Sequence, residues 1–360
     1  MRILITGVCG NVGASTLTAL LRGGHEVVGV DIENRKNLRF SQKQRNNARF
    51  VFGDIRSAQF LRSLLPGVDA VIHLAAIIPP LTDRDPLFAE SVNVGATRTL
   101  VGEIGKRASP PLLVFTSSIA VYGDRINTPF IREHDELRPS PGDHYALHKI
   151  ECERIIRGSA IPWTILRLSY IVSTDRLIMD PILFAMPQAT AIEPCMTADA
   201  GAACAAAAVR PDLSGRTFLI AGGVRNRTMY RDYLDTMFRA FGLGGNFLPD
   251  EAFAHAGFHC GFMDTEVSER ELCYQHENLV EFYRSVRRRK WIQRWSTRIV
   301  RPLARGYILT RSPYFRRYLA DRYQSAGRRV FGVIALCMGL LPIDRPLISR
   351  RQSRGCPTAS

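Results

Sequence analysis

The sequence predicts an α/β fold built on a parallel doubly wound sheet, and three observations carry that expectation. Short apolar runs alternate with stretches of helical periodicity through the first eighty residues. A glycine-rich turn, TGVCGNVG, stands between the first run and the first helix. Further apolar runs follow at βαβ spacing, which favours parallel strands with helices packed on the sheet. At 360 residues with 46% apolar side chains the chain can bury a substantial core, which excludes a disordered polymer.

Taken in order, RILIT, EVVGVD, ARFVF and DAVIHLAA read as strands, with helical periodicity from Val12 to Leu21 and from Gln59 to Leu65. PLLVFTSS and WTILRLS extend the sheet. Ala198 to Val209 reads as an alanine-rich packing helix, and no internal repeat of 20 to 50 residues is visible.

Gly7, Gly10 and Gly13 form a GxxGxxG pattern that follows a strand and opens a helix. The first permits a tight turn, the second lets backbone N–H groups approach a pyrophosphate, and the third brings helix and strand together. Asp31 ends the second strand, where its carboxylate can accept both ribose hydroxyls of an adenosine and repel a 2′-phosphate. The pattern therefore points to NAD rather than NADP, with Arg35 and Lys36 as the residues that argue the other way. Asp54, in FGDI, suits either the adenine edge or an ordinary loop cap.

The reactive groups sit in HYALHK. Tyr145 and Lys149 are one helical turn apart on one face. An adjacent ammonium is expected to favour the phenolate and bring the tyrosine toward a working range. Upstream, FTSSIAVYG ends a strand in hydroxyls, so that Ser118 can donate to a substrate carbonyl while Tyr145 moves the proton.

With these residues in hand, the sequence resembles the extended short-chain dehydrogenase/reductases, or NAD-dependent epimerase/dehydratase family. The matching pieces are TGVCGNVG, Asp31, GDI, HLAA at 73–76, NVGAT at 93–97, SSIAVYG with Ser118, and Tyr145 with Lys149, and they extend over about residues 1–283 with DLSGRTFLIAGG at 212–223. The resemblance implies an NAD-binding Rossmann domain over 1–172, with 198–223 returning to it, and a substrate-binding region over 173–283. It implies Ser118, Tyr145 and Lys149 as the catalytic triad with Asn93 in support. It also implies a cofactor site made by Gly7, Gly10, Asn11, Val12, Gly13, Asp31, Asp54, Ile55, Ala75, Tyr145 and Lys149.

Departures from the family narrow the reaction. Its dehydratases carry Asp-Glu after the hydroxyl residue, where this chain has Ile119 and Ala120, which argues against elimination. Its nucleotide-sugar epimerases continue into a Tyr-Gly-Pro loop, where this chain reads RLSYIVSTDRLIMDP from Arg167. Three functions remain: an NAD(P)-dependent dehydrogenase or ketoreductase at a secondary alcohol or ketone, an epimerase that returns the hydride to the other face, and a non-catalytic NAD-binding sensor or scaffold.

The net charge of +15 is not spread evenly. Residues 284–360 hold 19 basic side chains against Asp321 and Asp344, leaving the rest with 29 basic and 31 acidic. In this extension Trp291, Ile292, Trp295 and Ile299 recur at helical spacing while Arg287, Arg288, Arg294 and Arg298 project elsewhere. PYFRRYLADRY follows from Pro313, then the apolar FGVIALCMGLLPI.

Aromatics, basic excess and a short apolar run together fit a helical segment lying on an anionic membrane through 284–343, which would also suit a lipid-like or other hydrophobic substrate. The alternative is an appendage that packs Trp291 and Trp295 on the body. No binding module accompanies the charge, which argues against nucleic acid. The remaining expected partners are a small-molecule substrate and a second copy of the chain.

Eight cysteines without a CxxC pair or a secretory segment read as reduced thiols in a cytoplasmic protein, peripheral on the inner membrane face. Cys9, inside the glycine loop, reads as a small residue that fits rather than a redox sensor. No apolar run reaches about 18 residues, so no span is expected. His255, His259 and Cys260 show no carboxylate partner nearby in sequence, so no metal site is expected.

Overall fold

The computed structural model describes residues 1–174, 182–291, 297 and 300–325. In chain order the elements are β1 (Arg2–Thr6), α1 (Asn11–Arg22), β2 (Glu26–Asp31), α2 (Arg35–Gln44), β3 (Arg49–Phe52), α3 (Ala58–Leu64) and β4 (Ala70–His73). Short helices α4 (Leu81–Arg84) and α5 (Pro86–Glu90) lead through a π turn, Ser91–Gly95, into α6 (Ala96–Gly105). Then come β5 (Leu112–Ser118), β6 (Phe130–Ile131), α7 (His144–Arg157), β7 (Trp163–Leu168), β8 (Ile171–Val172), α8 (Ile182–Ala185), β9 (Ala191–Ile192), β10 (Cys195–Met196) and α9 (Thr197–Ala208). The order closes with β11 (Arg216–Ile220), β12 (Thr228–Met229), α10 (Tyr230–Ala240), β13 (Phe262–Met263), α11 (Glu266–Leu272) and α12 (Leu279–Arg289), followed by helices Arg301–Arg311 and Pro313–Ser325.

Seven strands make one parallel sheet in the order β11-β7-β5-β4-β1-β2-β3. The apolar runs are continuous because both faces are covered. Period-two alternation splits them. Ile3, Ile5, Ile72 and Val114 pack with Leu17 and Leu20 of α1 and the alanines of α9. Leu4, Val71, Leu113 and Phe115 face Leu61, Leu100, Ile104 and Ile156 on the other side.

The alanine-rich composition of α9 has a steric cause. A Cβ at Gly201 would stand 2.6 Å from the Ser15 carbonyl carbon of α1, so small side chains let the two helices meet. The DAVIHLAA run stays in the ladder only to His73, and Leu74 to Ala76 turn away under the glycine loop.

Three two-stranded pairs, β8–β10, β9–β12 and β6–β13, accompany α10 and α12 beside the sheet. Their core is aromatic, with Phe184, Tyr230, Phe247, Phe253 and Phe282 fully or nearly buried. The extension docks there. Ala304, Ile308, Leu309 and Phe315 pack on this core. Ser312 Oγ donates to the Ala252 carbonyl at 2.6 Å, and Arg305 Nε donates to the Phe247 carbonyl at 2.8 Å. Contrary to the appendage expectation, Trp291 does not take part, since it is 65% exposed. Ile292, Arg294, Trp295, Arg298, Ile299 and FGVIALCMGLLPI lie outside the described residues. Among the described residues, no helix is long and apolar enough to cross a membrane.

Candidate active site

The carboxyl ends of the parallel strands deliver the candidate residues to one edge. The glycine loop follows β1, Asp31 ends β2, Asp54 follows β3, Ala75 follows β4 and Ser118 ends β5. The chain changes direction between β1 and β4, and an open α/β sheet binds ligands at such a point. A cleft of about 410 Å³ opens there, lined by Gly7, Gly10, Asp31, Asp54, Ile55 and Ala75 among others. Asn11 lines an adjoining cleft of about 550 Å³ that also includes Gly10.

The glycines divide their work as the spacing suggests. Gly7 has φ +74°, and a Cβ on it would stand 2.8 Å from the Ala75 amide nitrogen. At Gly13 a Cβ would fall on the Gly7 carbonyl oxygen and 2.8 Å from Val8 Cα, so this glycine seats α1 on the loop. Gly10, the N-cap of α1, would bring its Cβ near only the Gly7 carbonyl oxygen, at 3.1 Å. Val12 packs toward the core rather than into the cleft.

Asp31 is held in place by two backbone amides and the Asn37 side chain. Its Oδ2 accepts the Cys9 amide at 2.9 Å, and its Oδ1 accepts the Ile32 amide at 2.9 Å and Asn37 Nδ2 at 3.0 Å. Cys9 is buried, and burial together with the Asp31 carboxylate pushes its thiol up to about 12, which makes it a poor nucleophile. Asp54 is already engaged. Arg56 grips it through its backbone amide at 2.9 Å and Nη2 at 2.6 Å, and the same guanidinium lies 5.3 Å over the Phe88 ring. The Arg56 hydrogen bonds hold the Asp54 carboxyl below its usual range.

On α7, Tyr145 and Lys149 share the face turned to the end of β5. Burial raises the Tyr145 phenol well above its ordinary value, while a hydrogen bond with Ser118 pulls it the other way. Lys149 is 4% exposed; its Nζ donates to the Thr116 carbonyl at 2.7 Å and lies 4.7 Å over the Phe115 ring and 5.6 Å over the Tyr145 ring. Burial pushes Lys149 down to about 8.

This corrects the electrostatic expectation. Lys149 does not bring Tyr145 into a phenolate range here, because desolvation penalises both charged forms and the ammonium donates to a carbonyl. As packed, Tyr145 is a neutral phenol.

Asn93, in the π turn, is 3% exposed and clasps the loop after β4 through both backbone groups of Ile77. Its Oδ1 accepts at 2.7 Å and its Nδ2 donates at 2.9 Å. Its Nδ2 also meets His148 Nδ1 at 3.3 Å, tying that loop to α7. Asn93 therefore supports the site by positioning backbone.

A second correction concerns HAGFHC. His259 does have a carboxylate partner, Asp143, at 2.9 Å. Asp143 is also the N-cap of α7, accepting the Ala146 amide at 2.9 Å. Among the described residues no cluster of three or more potential metal ligands occurs. Behind the site, Arg167 and Glu153 form a buried pair at 2.7 Å and 3.0 Å that Tyr122 joins. Ile119 and Ala120 are buried apolar residues, so no carboxylate follows Ser118.

A family model described as the NAD dependent epimerase/dehydratase family matches residues 3–179. A UDP-glucose 4-epimerase of Klebsiella pneumoniae is 33% identical over 138 residues, which is 36% of this chain and 99% of that relative. The chain belongs to this family.

Another relative, the UDP-glucose 4-epimerase of Neisseria meningitidis serogroup C, is 30% identical over 182 residues, covering 47% of this chain and 52% of the relative. The matched region thus spans about half the length of such relatives. Among solved structures, a dTDP-glucose 4,6-dehydratase from Streptomyces venezuelae with NAD bound superposes with TM-score 0.68 at 24% identity, over 82% of this chain and 98% of that one. A UDP-glucose 4-epimerase from Stenotrophomonas maltophila with bound NAD gives 0.66 at 21% identity, over 83% and 99%. At these identities the two structures share the fold with this family member.

Proposed function

We propose that this chain is an NAD-dependent oxidoreductase acting at a secondary alcohol or its ketone, with Ser118, Tyr145 and Lys149 handling the proton. The observation that carries the reading is the pairing of the Tyr145 phenol with Ser118 at the carboxyl end of β5, on the same sheet edge where the glycine loop and Asp31 wall a cleft. The residues fit the cofactor. Gly10 leaves the loop open on its outer side, the first turn of α1 offers unpaired amides, and Asp31 presents a fixed carboxylate. NAD, when bound, supplies the hydride acceptor.

Ser118 donates to the substrate oxygen and orients it. In the reducing direction Tyr145, neutral in its packed surroundings, gives its proton to the ketone oxygen; in the oxidising direction it first releases that proton, and the resulting phenolate takes the proton of the alcohol. Lys149 holds α7 to β5 through Thr116 and supplies the positive charge nearest the phenol. Asn93 fixes the loop at Ile77, which borders the cleft. Residues 1–172, with 198–223, serve as the NAD-binding domain and 173–283 as the substrate-binding region.

Tyr145→Phe is the direct test. Turnover should fall by roughly a hundredfold or more while NAD still binds; wild-type activity in this variant would remove Tyr145 from the mechanism.

A second reading, epimerisation, is favoured by the relatives, which are named UDP-glucose 4-epimerases. There the same oxidation is followed by hydride return to the opposite face. Net NADH at 340 nm with a turned-over substrate supports a dehydrogenase, and product without net NADH supports an epimerase. A third element of the proposal is attachment to an anionic membrane through residues 284–343, which would bring a lipid-like substrate within reach. The exposed Trp291 beside a run of arginines supports it.

A further inference from the structure

The basic side chains of α12 do not simply radiate into solvent. Leu279, Phe282 and Val286 bury one face of this helix. Val280, Tyr283, Arg284, Arg287 and Arg288 recur at three- and four-residue steps and form a second face, and Trp291, just past the end of the helix, lines the same groove. That face meets Thr236, Arg239 and Ala240 of α10 across a groove of about 740 Å³. Arg239, which lies far from the extension in sequence, therefore joins its arginines.

The charge in the groove is largely uncompensated. Asp235 meets Arg239 at 3.4 Å, but its other oxygen accepts the Asn246 amide at 2.8 Å, and Asp232 lies near Tyr283. Arg284, Arg287 and Arg288 make no ion pair among the described residues. The floor of Ala240, Val280 and Tyr283 is apolar, and Trp291 stands exposed at one end.

The next helix repeats the arrangement. Val300, Leu303 and Tyr307, at 42%, 77% and 61% exposure, share an outward face while Ala304 and Ile308 pack inward. The sequence after the last described helix adds positive charge, six arginines against Asp344 over residues 326–360.

We propose that this groove is a headgroup site for anionic phospholipid, in which Arg239, Arg284, Arg287 and Arg288 surround the phosphate and Trp291 inserts at the interface. The inference deepens the membrane-attachment reading and rests on it. Guanidinium groups suit the site because they bind phosphate through paired donors, and an indole suits a headgroup boundary. Each basic group near an anionic surface contributes separately, so removing three is expected to weaken binding on the order of a hundredfold.

The test uses the full chain and vesicles of phosphatidylcholine with and without phosphatidylglycerol, sedimented at low and high salt. The Arg284→Ala, Arg287→Ala, Arg288→Ala triple variant should lose binding to anionic vesicles by that factor. The three Arg→Lys replacements keep the charge but lose the paired donors, so their binding should fall between wild type and the alanine variant, and Trp291→Ala should weaken the part that survives high salt. Removing Arg45, Arg49 and Arg107, exposed on the sheet domain, should change little. Thermal melts confirm that each variant is folded.

Wild-type binding left intact in the alanine triple variant overturns the groove while membrane attachment stands through other residues. Failure of the wild type to bind anionic vesicles at low salt overturns both. Glycerol phosphate carries the same phosphate and should compete at millimolar levels, so the result that assigns the groove to a soluble phosphate ligand instead is glycerol phosphate binding that is lost in the alanine triple variant while anionic-vesicle binding is unchanged. Tighter binding of a single-stranded oligonucleotide, lost in the alanine triple variant, assigns it to nucleic acid; either result refutes the lipid site.

Discussion

Lys149→Met removes a buried ammonium while keeping most of its volume, and it separates what this lysine does for the reaction from what it costs the fold. Burial lowers the lysine from 10.5 to about 8. At 1.36 kcal/mol per unit, that is a penalty on the folded state of about 3 kcal/mol at neutral pH. Against it stands the Thr116 carbonyl, which would lose its donor at 2.7 Å and with it about 1–3 kcal/mol. The methionine variant is therefore expected to match the wild type in stability or exceed it by up to about 2 kcal/mol, while turnover falls by about a hundredfold or more.

The pH dependence gives a sharper reading. The unfolded chain keeps this proton up to about 10.5 and the folded chain releases it near 8, so between those values the unfolded state binds more protons and stability rises with pH. Below about 8 both states are protonated and the contribution is flat. Other groups titrate in the same range, so the quantity to measure is the wild-type minus variant difference in urea unfolding free energy, from pH 7 to 10.5. It should climb by about 3 kcal/mol over the window. A flat difference would show that Lys149 is not desolvated as packed. A variant several kcal/mol less stable would refute the cost assigned to this buried charge, and one with wild-type turnover would refute its assignment to the reaction.

Two further outcomes test the cofactor site. Asp31→Ala should weaken NAD binding much more than NADP binding, measured by titration calorimetry; an unchanged preference would assign the choice to another residue, with Lys36 on the wall of the same cleft as the first candidate. Gly13→Ala places a carbon on the Gly7 carbonyl oxygen and 2.8 Å from Val8 Cα, both backbone atoms that cannot swing aside. It should lower NAD affinity by at least about tenfold and reduce the melting temperature, whereas Gly10→Ala, meeting only one oxygen at 3.1 Å, should keep the fold with a smaller thermal loss.

Much of this molecule is written in short-range spacing. Strand runs such as RILIT must be buried on both faces and therefore belong inside a parallel sheet, and Ile3, Leu4 and Ile5 are all fully buried there. Three glycines at fixed steps demand a tight turn whose carbonyl leaves no room for a Cβ at Gly13. Tyr145 and Lys149 share a face because any helix places residues four apart together. These features need only local backbone geometry, and the sequence alone determined them.

The tertiary structure decided everything that depends on which distant atoms surround a charge. Spacing favours a phenolate at Tyr145, whereas burial penalises the charged forms of both side chains and Thr116 supplies the acceptor for Lys149. Asp143 finds His259, and Arg239 finds the α12 arginines, only when separate segments pack side by side. Trp291, just past the end of α12, stands 65% exposed while Leu279, Phe282 and Val286 take the buried face of that helix, an outcome that composition and periodicity do not decide. Spacing fixes which side chains share a face, but desolvation and pairing are set by the neighbours that the folded chain brings to that face.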